Sequence, residues 1–373
     1  MRIPLVVPLL VTVGTMACQP ELRLGVVLPE TGSAAVYGAS VKTGIDLALA
    51  GHRKTGGRSI EVWYRDSGSD PARAASACEA LFEQGAALVI GGATSAEAKA
   101  MIDVADRIGR VLLSPSASAP DLSGRSQCFF RVYPSDELEG ARAAEFLVGQ
   151  ASARSVLILS ESNDYARGLL PVFVARLQAL GAQVVGPETL GDEGWERRVR
   201  LALARQAPAG AYVCGYGEAI SRSLVVLRAA GFRKTVCTTS AIHATALLSR
   251  LGDEAEGLFF PLATTDLSGD GEPARRFIAT YQQTYNLQPD VYASYGYDAA
   301  LAALSALSLE PHPEPDRLAA ALRTLHGVRG VMGPLEFDRN GNIQRTLRMH
   351  WIRAGRVEVA AAAQAPMPDG ARR

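Results

Sequence analysis

Short apolar runs of strand length alternate with amphipathic stretches of helical period along almost the whole chain, and this rhythm restricts the fold more than any other feature. The strand-like runs are Leu24 to Leu28, Ile60 to Tyr64, Ala87 to Ile90, Val111 to Leu113, Val156 to Leu159, Gln183 to Val185, Ala211 to Cys214, Thr235 to Thr238 and Gly257 to Phe260. Helix-like runs separate or follow them: Gly38 to Ala50, Pro71 to Gln84, Ala96 to Ile108, Leu138 to Gln150, Gly168 to Leu180, Trp195 to Arg205, Ala219 to Ala230, Pro273 to Tyr285, Tyr292 to Ser308 and Pro315 to Thr324. Strand then helix, repeated, is the pattern of βαβ units, which bury a parallel sheet beneath helices on both faces. Gly181 after Leu180 and Gly231 after Ala230 supply the residue that most easily adopts the left-handed helix end. The expected class is α/β, with doubly wound, mostly parallel sheets. So many strands overfill one open sheet, and two similar lobes are the economical arrangement. A chain of 373 residues, 48% hydrophobic, can bury a core in each.

Two serine-rich turns follow neighbouring strand-like runs. Gly91-Gly92-Ala93-Thr94-Ser95 comes after Ala87 to Ile90, and Ser114-Pro115-Ser116-Ala117-Ser118-Ala119-Pro120 comes after Val111 to Leu113. Open α/β sheets bind ligands outside the carboxyl ends of their strands, so these turns gather hydroxyls and free backbone N–H groups where a ligand sits. A helix starting at Ala96 also aims unpaired amides and its positive dipole end at that spot. A small anion, foremost a carboxylate, fits such a place. Ser95 as a plain helix cap, and Ser116 and Ser118 as ordinary turn residues beside proline, are the competing readings. Capping and anion binding use the same donors, and the strand-end placement of both turns favours the ligand.

Charge and motif content narrow the function further. Acidic and basic residues balance at 38 each, so no net field attracts nucleic acid or an anionic membrane. Gly215-Tyr216-Gly217 lacks the third glycine of a dinucleotide fingerprint, and neither a GxxxxGK[ST] loop nor a GxSxG elbow occurs. His52, His243, His312, His326 and His350 are scattered without metal-ligand spacing, and no histidine accompanies the serine turns as a base. The expectation is a binding protein with no cofactor and no metal, not an enzyme. Cys78, Cys128, Cys214 and Cys237 have neither CxxC nor metal spacing; Cys78 lies in a helical pattern and Cys214 and Cys237 at strand ends, as small buried hydrophobes do.

Residues 1–18 are a targeting segment rather than part of the fold. Arg2 is a minimal positive start, Ile3 to Val13 is apolar but too short to span a bilayer, and Gly14-Thr15-Met16-Ala17 leads into Cys18. That order resembles a bacterial lipoprotein signal, in which acyl chains on the cysteine, here Cys18, tether a soluble domain to a membrane. Ordinary cleavage and release is the other reading. The stretch 361–373, rich in alanine and proline and ending in arginines, is expected to be disordered.

Local motifs along nearly the whole remaining chain resemble the leucine/isoleucine/valine-binding proteins. They are Gly25 to Pro29 with Thr31-Gly32-Ser33, Tyr37-Gly38, Asp66-Ser67-Gly68-Ser69-Asp70-Pro71, Ser114 to Leu122, Phe130 to Asp136, Asn163-Asp164-Tyr165, Gly296-Tyr297-Asp298-Ala299 and Gly333 to Asp338. The resemblance implies the two-lobed type I periplasmic-binding fold of amino-acid importers. Lobe one would take residues 22–136 and 264–329 and lobe two residues 137–263 and 330–360, with three chain crossings as a hinge. It also implies an exported protein, periplasmic or outer-surface, that delivers a small amino acid or related carboxylate to the permease subunits of an ABC importer. A ligand sensor using the same closure, or a binder of a non-amino-acid carboxylate or amide, are the alternatives.

Carried over residue by residue, the resemblance makes the Ser95 hydroxyl, the Ser116 backbone and the Ser118 hydroxyl the grip on the ligand's α-carboxylate. Tyr37 would line the cleft, Tyr165 would close over the ligand from lobe two, and Tyr216 would add a second aromatic wall. One departure stands out: where relatives place an acid to pair with the ligand's ammonium, this chain has Ser240 in Thr238-Thr239-Ser240-Ala241-Ile242-His243. An ammonium buried without a counter-charge is costly. Asp164, Glu161 or Asp298 would have to replace that acid, or the ligand would lack the ammonium. His243 would be a polar contact or a surface residue near a helix start.

Overall fold

The computed structural model describes residues 22–263, 271–310 and 314–360. Cys18 with its targeting segment and the tail 361–373 lie outside the described residues. The chain opens with β1 (Leu22–Leu28), α1 (Ala35–Lys54), β2 (Ile60–Asp66), α2 (Pro71–Glu83), β3 (Leu88–Gly91), α3 (Ser95–Ile108), β4 (Val111–Ser114) and β5 (Phe129–Arg131). These strands form one parallel sheet in the order β2-β1-β3-β4-β5.

Next come α4 (Asp136–Glu145), β6 (Ser155–Ser160), α5 (Asp164–Ala179), β7 (Gln183–Thr189), α6 (Trp195–Gln206), β8 (Gly210–Cys214), α7 (Gly217–Ala229), β9 (Thr235–Thr238), α8 (Thr245–Leu251) and β10 (Leu258–Ala263). The remaining elements are α9 (Glu272–Tyr285), α10 (Val291–Leu309), α11 (Pro315–Arg323), a short hairpin of β11 (Arg329–Gly330) and β12 (Gly333–Pro334), then β13 (Leu347–Arg353) and β14 (Arg356–Val359). The second sheet runs β14-β13-β10-β9-β8-β6-β7, parallel except that β13 lies antiparallel to β10 and β14 antiparallel to β13.

The α/β, mostly parallel, two-sheet expectation holds. β3 and β4 are buried at every position, as strands covered by helices on both faces must be. Helix α3 begins with a reciprocal capping box, in which Thr94 accepts the Glu97 amide and Glu97 accepts the Thr94 amide. It ends at Gly109 in the left-handed conformation. Helix α5 starts at Asp164, four residues earlier than its periodicity suggested, because the Asn163 side chain accepts the Ala166 amide at 2.8 Å and caps the extra turn. Strand β5 escaped the sequence reading since three residues, one of them arginine, carry no strand signal.

Helices α9 to α11 follow β10 of the second sheet in sequence, yet α10 returns to the first and packs along α1. The two helices touch backbone to backbone: a Cβ on Gly44 would lie 1.9 Å from the Ala293 carbonyl oxygen, and one on Gly296 would lie 2.1 Å from that of Val41. Only glycine permits this approach. The chain therefore passes between the two sheets three times, after β5, after β10 and before β13. At the last passage the buried Asp298 carboxylate accepts the Val331 amide at 2.6 Å and the Met332 amide at 2.9 Å. That structural task accounts for Asp298. Phe337 and Asn342, just beyond, pack against Phe130 and Arg131 of β5.

Cys78, Cys214 and Cys237 are buried in α2, β8 and β9, and the four described cysteines are free thiols. Among the described residues, no helix is long and apolar enough to cross a membrane.

Candidate functional site

The ends of β3 and β4 face the loops that follow β6, β8 and β9 across a small enclosed space. Ser95, Ser116 and Ser118 from the first sheet, with Tyr37 from α1, meet Tyr165, Tyr216 and Ser240 from the second around one cavity of about 20 Å³. That is room for about one water molecule. Seven of the eight residues singled out in the sequence share this wall. Asp164 is not brought there: it sits in the first turn of α5, paired with Arg167 and, at 3.7 Å, with Lys99 of α3. Its charge is spent holding the two sheets' helices together.

At the serine end, the three hydroxyls have different neighbours. Ser116 Oγ donates to the Ala93 carbonyl at 2.7 Å, which fastens the second turn to the first. Its backbone amide makes no hydrogen bond among the described residues. Ser95 Oγ accepts the Ala119 amide at 3.2 Å, so its own proton is free for a ligand. The helix cap is Thr94 rather than Ser95, leaving the Ser95 and Ala96 amides among the unpaired donors of the first turn. Unpaired donors of this kind are what an anion takes at a helix start.

Ser118 differs, because its hydroxyl donates to Asp136 Oδ2 at 3.0 Å while its carbonyl accepts the Asp136 amide. Arg131, fully buried, holds this turn in place. Its guanidinium donates to the Ala119 carbonyl at 2.9 Å, to Ser123 Oγ at 2.7 Å and, through Nε, to Asn342 Oδ1 at 2.7 Å.

The opposite end shows what sequence reasoning missed. Glu139 Oε1 accepts the Ser240 amide at 2.8 Å and the Tyr165 hydroxyl at 3.4 Å, and Oε2 accepts the Ser240 hydroxyl at 2.7 Å. Ser240 Oγ in turn bonds the Tyr133 hydroxyl at 2.6 Å. Position 240 itself lacks a carboxylate, but one stands directly behind it, delivered by α4. Burial pushes the Glu139 carboxyl up to about 7, against the pull of the Ser240 and Tyr165 hydrogen bonds. Burial, and then the neighbouring Glu139 charge, raise Asp136 well above the carboxylate range, and Asp136 Oδ1 has no hydrogen-bond partner.

A signal for this pair was present. Asp136, Glu139, Gly140, Ala143 and Ala144 lie on one buried stripe of α4, so two acids three residues apart sit on an otherwise small, apolar face. The periodicity placed the helix start at Leu138, which hid Asp136 as loop.

Aromatic rings fill the remaining wall. Tyr165 stacks on Tyr216 with centroids 5.0 Å apart, and Tyr37 lies 5.6 Å from Tyr216 and 4.8 Å from Tyr292. Tyr133 and Tyr292, not singled out in the sequence, also line the cavity. The Tyr37 hydroxyl bridges the sheets, donating to the Ala241 carbonyl at 3.2 Å and accepting the Gly217 amide at 2.8 Å. A second bridge joins α10 to the start of α8, where Asp290 Oδ2 accepts the Thr245 amide at 3.0 Å and His243 Nδ1 accepts the Val291 amide at 3.2 Å. His243 is thus an inter-sheet contact, not a free surface histidine. Glu161 is engaged with the Tyr216 amide at 2.6 Å and Asn163 Nδ2 at 2.9 Å, which shapes the loop carrying Tyr216.

Comparison with known proteins agrees with this architecture. The Leu/Ile/Val-binding protein of Escherichia coli (strain K12) is 26% identical over 338 residues, covering 88% of this chain and 90% of that protein. A leucine binding protein, LivK, from Thermotoga maritima superposes with a TM-score of 0.85 at 24% identity, covering 91% of this chain and 98% of its own. LivJ from Streptococcus pneumoniae, a branched-chain amino acid transporter substrate binding protein in complex with isoleucine, gives a TM-score of 0.84 at 23% identity with the same coverage. Residues 21–355 match the family described as periplasmic binding protein, and the chain belongs to that family.

Proposed function

We propose that this chain is the extracytoplasmic solute-binding component of an ABC importer, and that it carries a small amino acid of the branched-chain or aliphatic type between two closing lobes. The observation that carries the reading is the single cavity in which unspent hydroxyl and amide donors from β3 and β4 face an aromatic wall from the other sheet. Donors of that kind hold a carboxylate, and the tyrosine rings give an aliphatic side chain a dry surface. A relative named for leucine, isoleucine and valine aligns over 88% of this chain and 90% of its own length.

In this reading the lobes are residues 22–136 with 264–329 and residues 137–263 with 330–360. The three passages between the sheets form the hinge, and Tyr37, Asp290 and Lys99 latch the closed form. Cys18 carries lipid and keeps the protein beside its permease subunits. The cavity binds rather than reacts: the three serine hydroxyls are engaged with a carbonyl, an amide and a carboxylate, none with a histidine.

A thermal-shift screen of a soluble form starting at Gln19 tests the proposal. Binding to the native state alone stabilises by RT ln(1 + [L]/Kd), about 2.7 kcal/mol at a hundredfold excess over Kd. Leucine, isoleucine, valine or alanine should raise Tm; a flat response to all four would reject the assigned ligand class.

A further inference from the structure

The absent acid at position 240 leaves open what neutralises a ligand ammonium, and the second end of the cavity supplies an answer resting on the amino-acid reading above. We propose that Glu139, acting across the Ser240 hydroxyl, is the counter-charge for the ammonium of a zwitterionic ligand, while Asp136 stays protonated and serves the ligand's carboxylate through Ser118.

The geometry separates the two acids by role. Glu139 receives three hydrogen bonds, from the Ser240 amide, the Ser240 hydroxyl and the Tyr165 hydroxyl, which favour the ionised carboxylate and partly offset the burial that opposes it. Ser240 and Tyr165 both line the cavity, so the oxygens an ammonium meets there are those whose protons already point at Glu139. An ammonium donating to these oxygens completes a chain of aligned hydrogen bonds ending on a buried negative charge. No Lys, Arg or His forms an ion pair with Glu139 or Asp136 among the described residues; the buried Arg131 charge acts on Asp136 and not on Glu139, so the Glu139 charge has no resident partner.

Asp136 has one hydrogen bond from Ser118 and one oxygen with no partner, an environment that favours a neutral acid. A protonated Asp136 donates to Ser118 Oγ, which releases the Ser118 proton toward the ligand carboxylate. Two like charges one helical turn apart in a buried site do not both ionise readily, and the surroundings place the proton on Asp136.

Calorimetric titration of the wild type and Glu139→Gln with L-leucine, L-valine and L-alanine, each beside its deaminated partner 4-methylpentanoate, 3-methylbutanoate or propanoate, tests the assignment. Glutamine fits the pocket: Oε1 keeps the Ser240 amide and Tyr165 hydroxyl, and Nε2 donates to Ser240 Oγ, which then donates to Tyr133. The wild type should bind at least one amino acid well above its deaminated partner. E139Q should lose about a hundredfold in amino-acid affinity and nothing for the deaminated partner, while Ser240→Asp added to E139Q should recover most of the loss by returning a charge to that end. E139Q binding the amino acid within about threefold of wild type would overturn the role of Glu139, as would wild-type preference for the deaminated compound. Wild type binding none of the six overturns the amino-acid reading itself and the present inference with it.

Discussion

One end of the cavity is built from loops, the other from a helix. Ser95, Ser116 and Ser118 lie in two turns at the carboxyl ends of β3 and β4, where strand-end geometry and helix-start amides make an anion site out of backbone and hydroxyl groups. Ser240, Tyr133 and Tyr165 are grouped around Glu139, a side chain that reaches in from the buried face of α4. The first end binds with neutral donors and needs no charge of its own; the second relies on a formal charge placed in a dry site, which is costly while the ligand is away. In the reading proposed above, one ligand is gripped by preorganised dipoles on one side and by a stored charge on the other.

The largest expected effect comes from removing what holds the serine end together. Arg131 is fully buried and ties Ala119, Ser123 and Asn342 to β5, so Arg131→Met leaves those acceptors unmatched. Chemical denaturation should show a loss of about 3–5 kcal/mol, the scale for breaking a buried charged network from one side. A loss under about 1 kcal/mol would mean that the serine turn holds its shape without the arginine, and that the contrast between the two ends is less sharp than the geometry indicates.

The charge at the other end is tested by pH. The Glu139 carboxyl moves from its ordinary 4.5 to about 7 on folding, chiefly through burial. Its folded form holds the proton more tightly than the unfolded chain, so stability from this group is present below pH 4.5 and lost as pH rises to about 7. Tyr133, Tyr165, Tyr212 and Cys237, which also face it, are pushed up by burial, away from this window. Asp136 titrates with Glu139 as a pair, whereas Asp298, His243 and His350 are common to wild type and Glu139→Gln and cancel in the difference. Relative to E139Q, the ligand-free wild type should lose roughly 3 kcal/mol between pH 4.5 and 7.5. Denaturant midpoints measured at both pH values give the number directly, and parallel profiles would show that Glu139 carries no unpaid charge.

The contrast also explains what the chain disclosed as sequence. Ser95, Ser116 and Ser118 were legible because loops at strand ends announce themselves locally: an apolar run, then glycine, serine and proline. The strand–helix alternation announced the two-sheet fold for the same reason. Glu139 was illegible because its role depends on α4 docking against the loop after β9, about a hundred residues away in the chain. Strands β13 and β14 were missed likewise: their residues read as strand only once β10 offers an edge to pair with. Asp164 was misassigned because adjacency to Tyr165 in sequence says nothing of which helix face each residue occupies; one points into the cavity and its neighbour toward Lys99.

A smaller effect probes the point where the two ends meet. Ser118 belongs to the serine turn yet gives its proton to Asp136, so it couples the anion grip to the acid pair. Ser118→Ala should weaken amino-acid binding by about 1–3 kcal/mol, the cost of leaving a buried charged group one donor short. Asp136→Asn should cost less, since its amide can donate to Ser118 Oγ much as the protonated acid does. In a double-mutant cycle the two changes should overlap, the pair costing no more than Ser118→Ala alone, because without the hydroxyl Asp136 has no route to the ligand. Strict additivity would mean that Asp136 acts on the ligand independently of Ser118, and the acid pair would then belong wholly to the ammonium end.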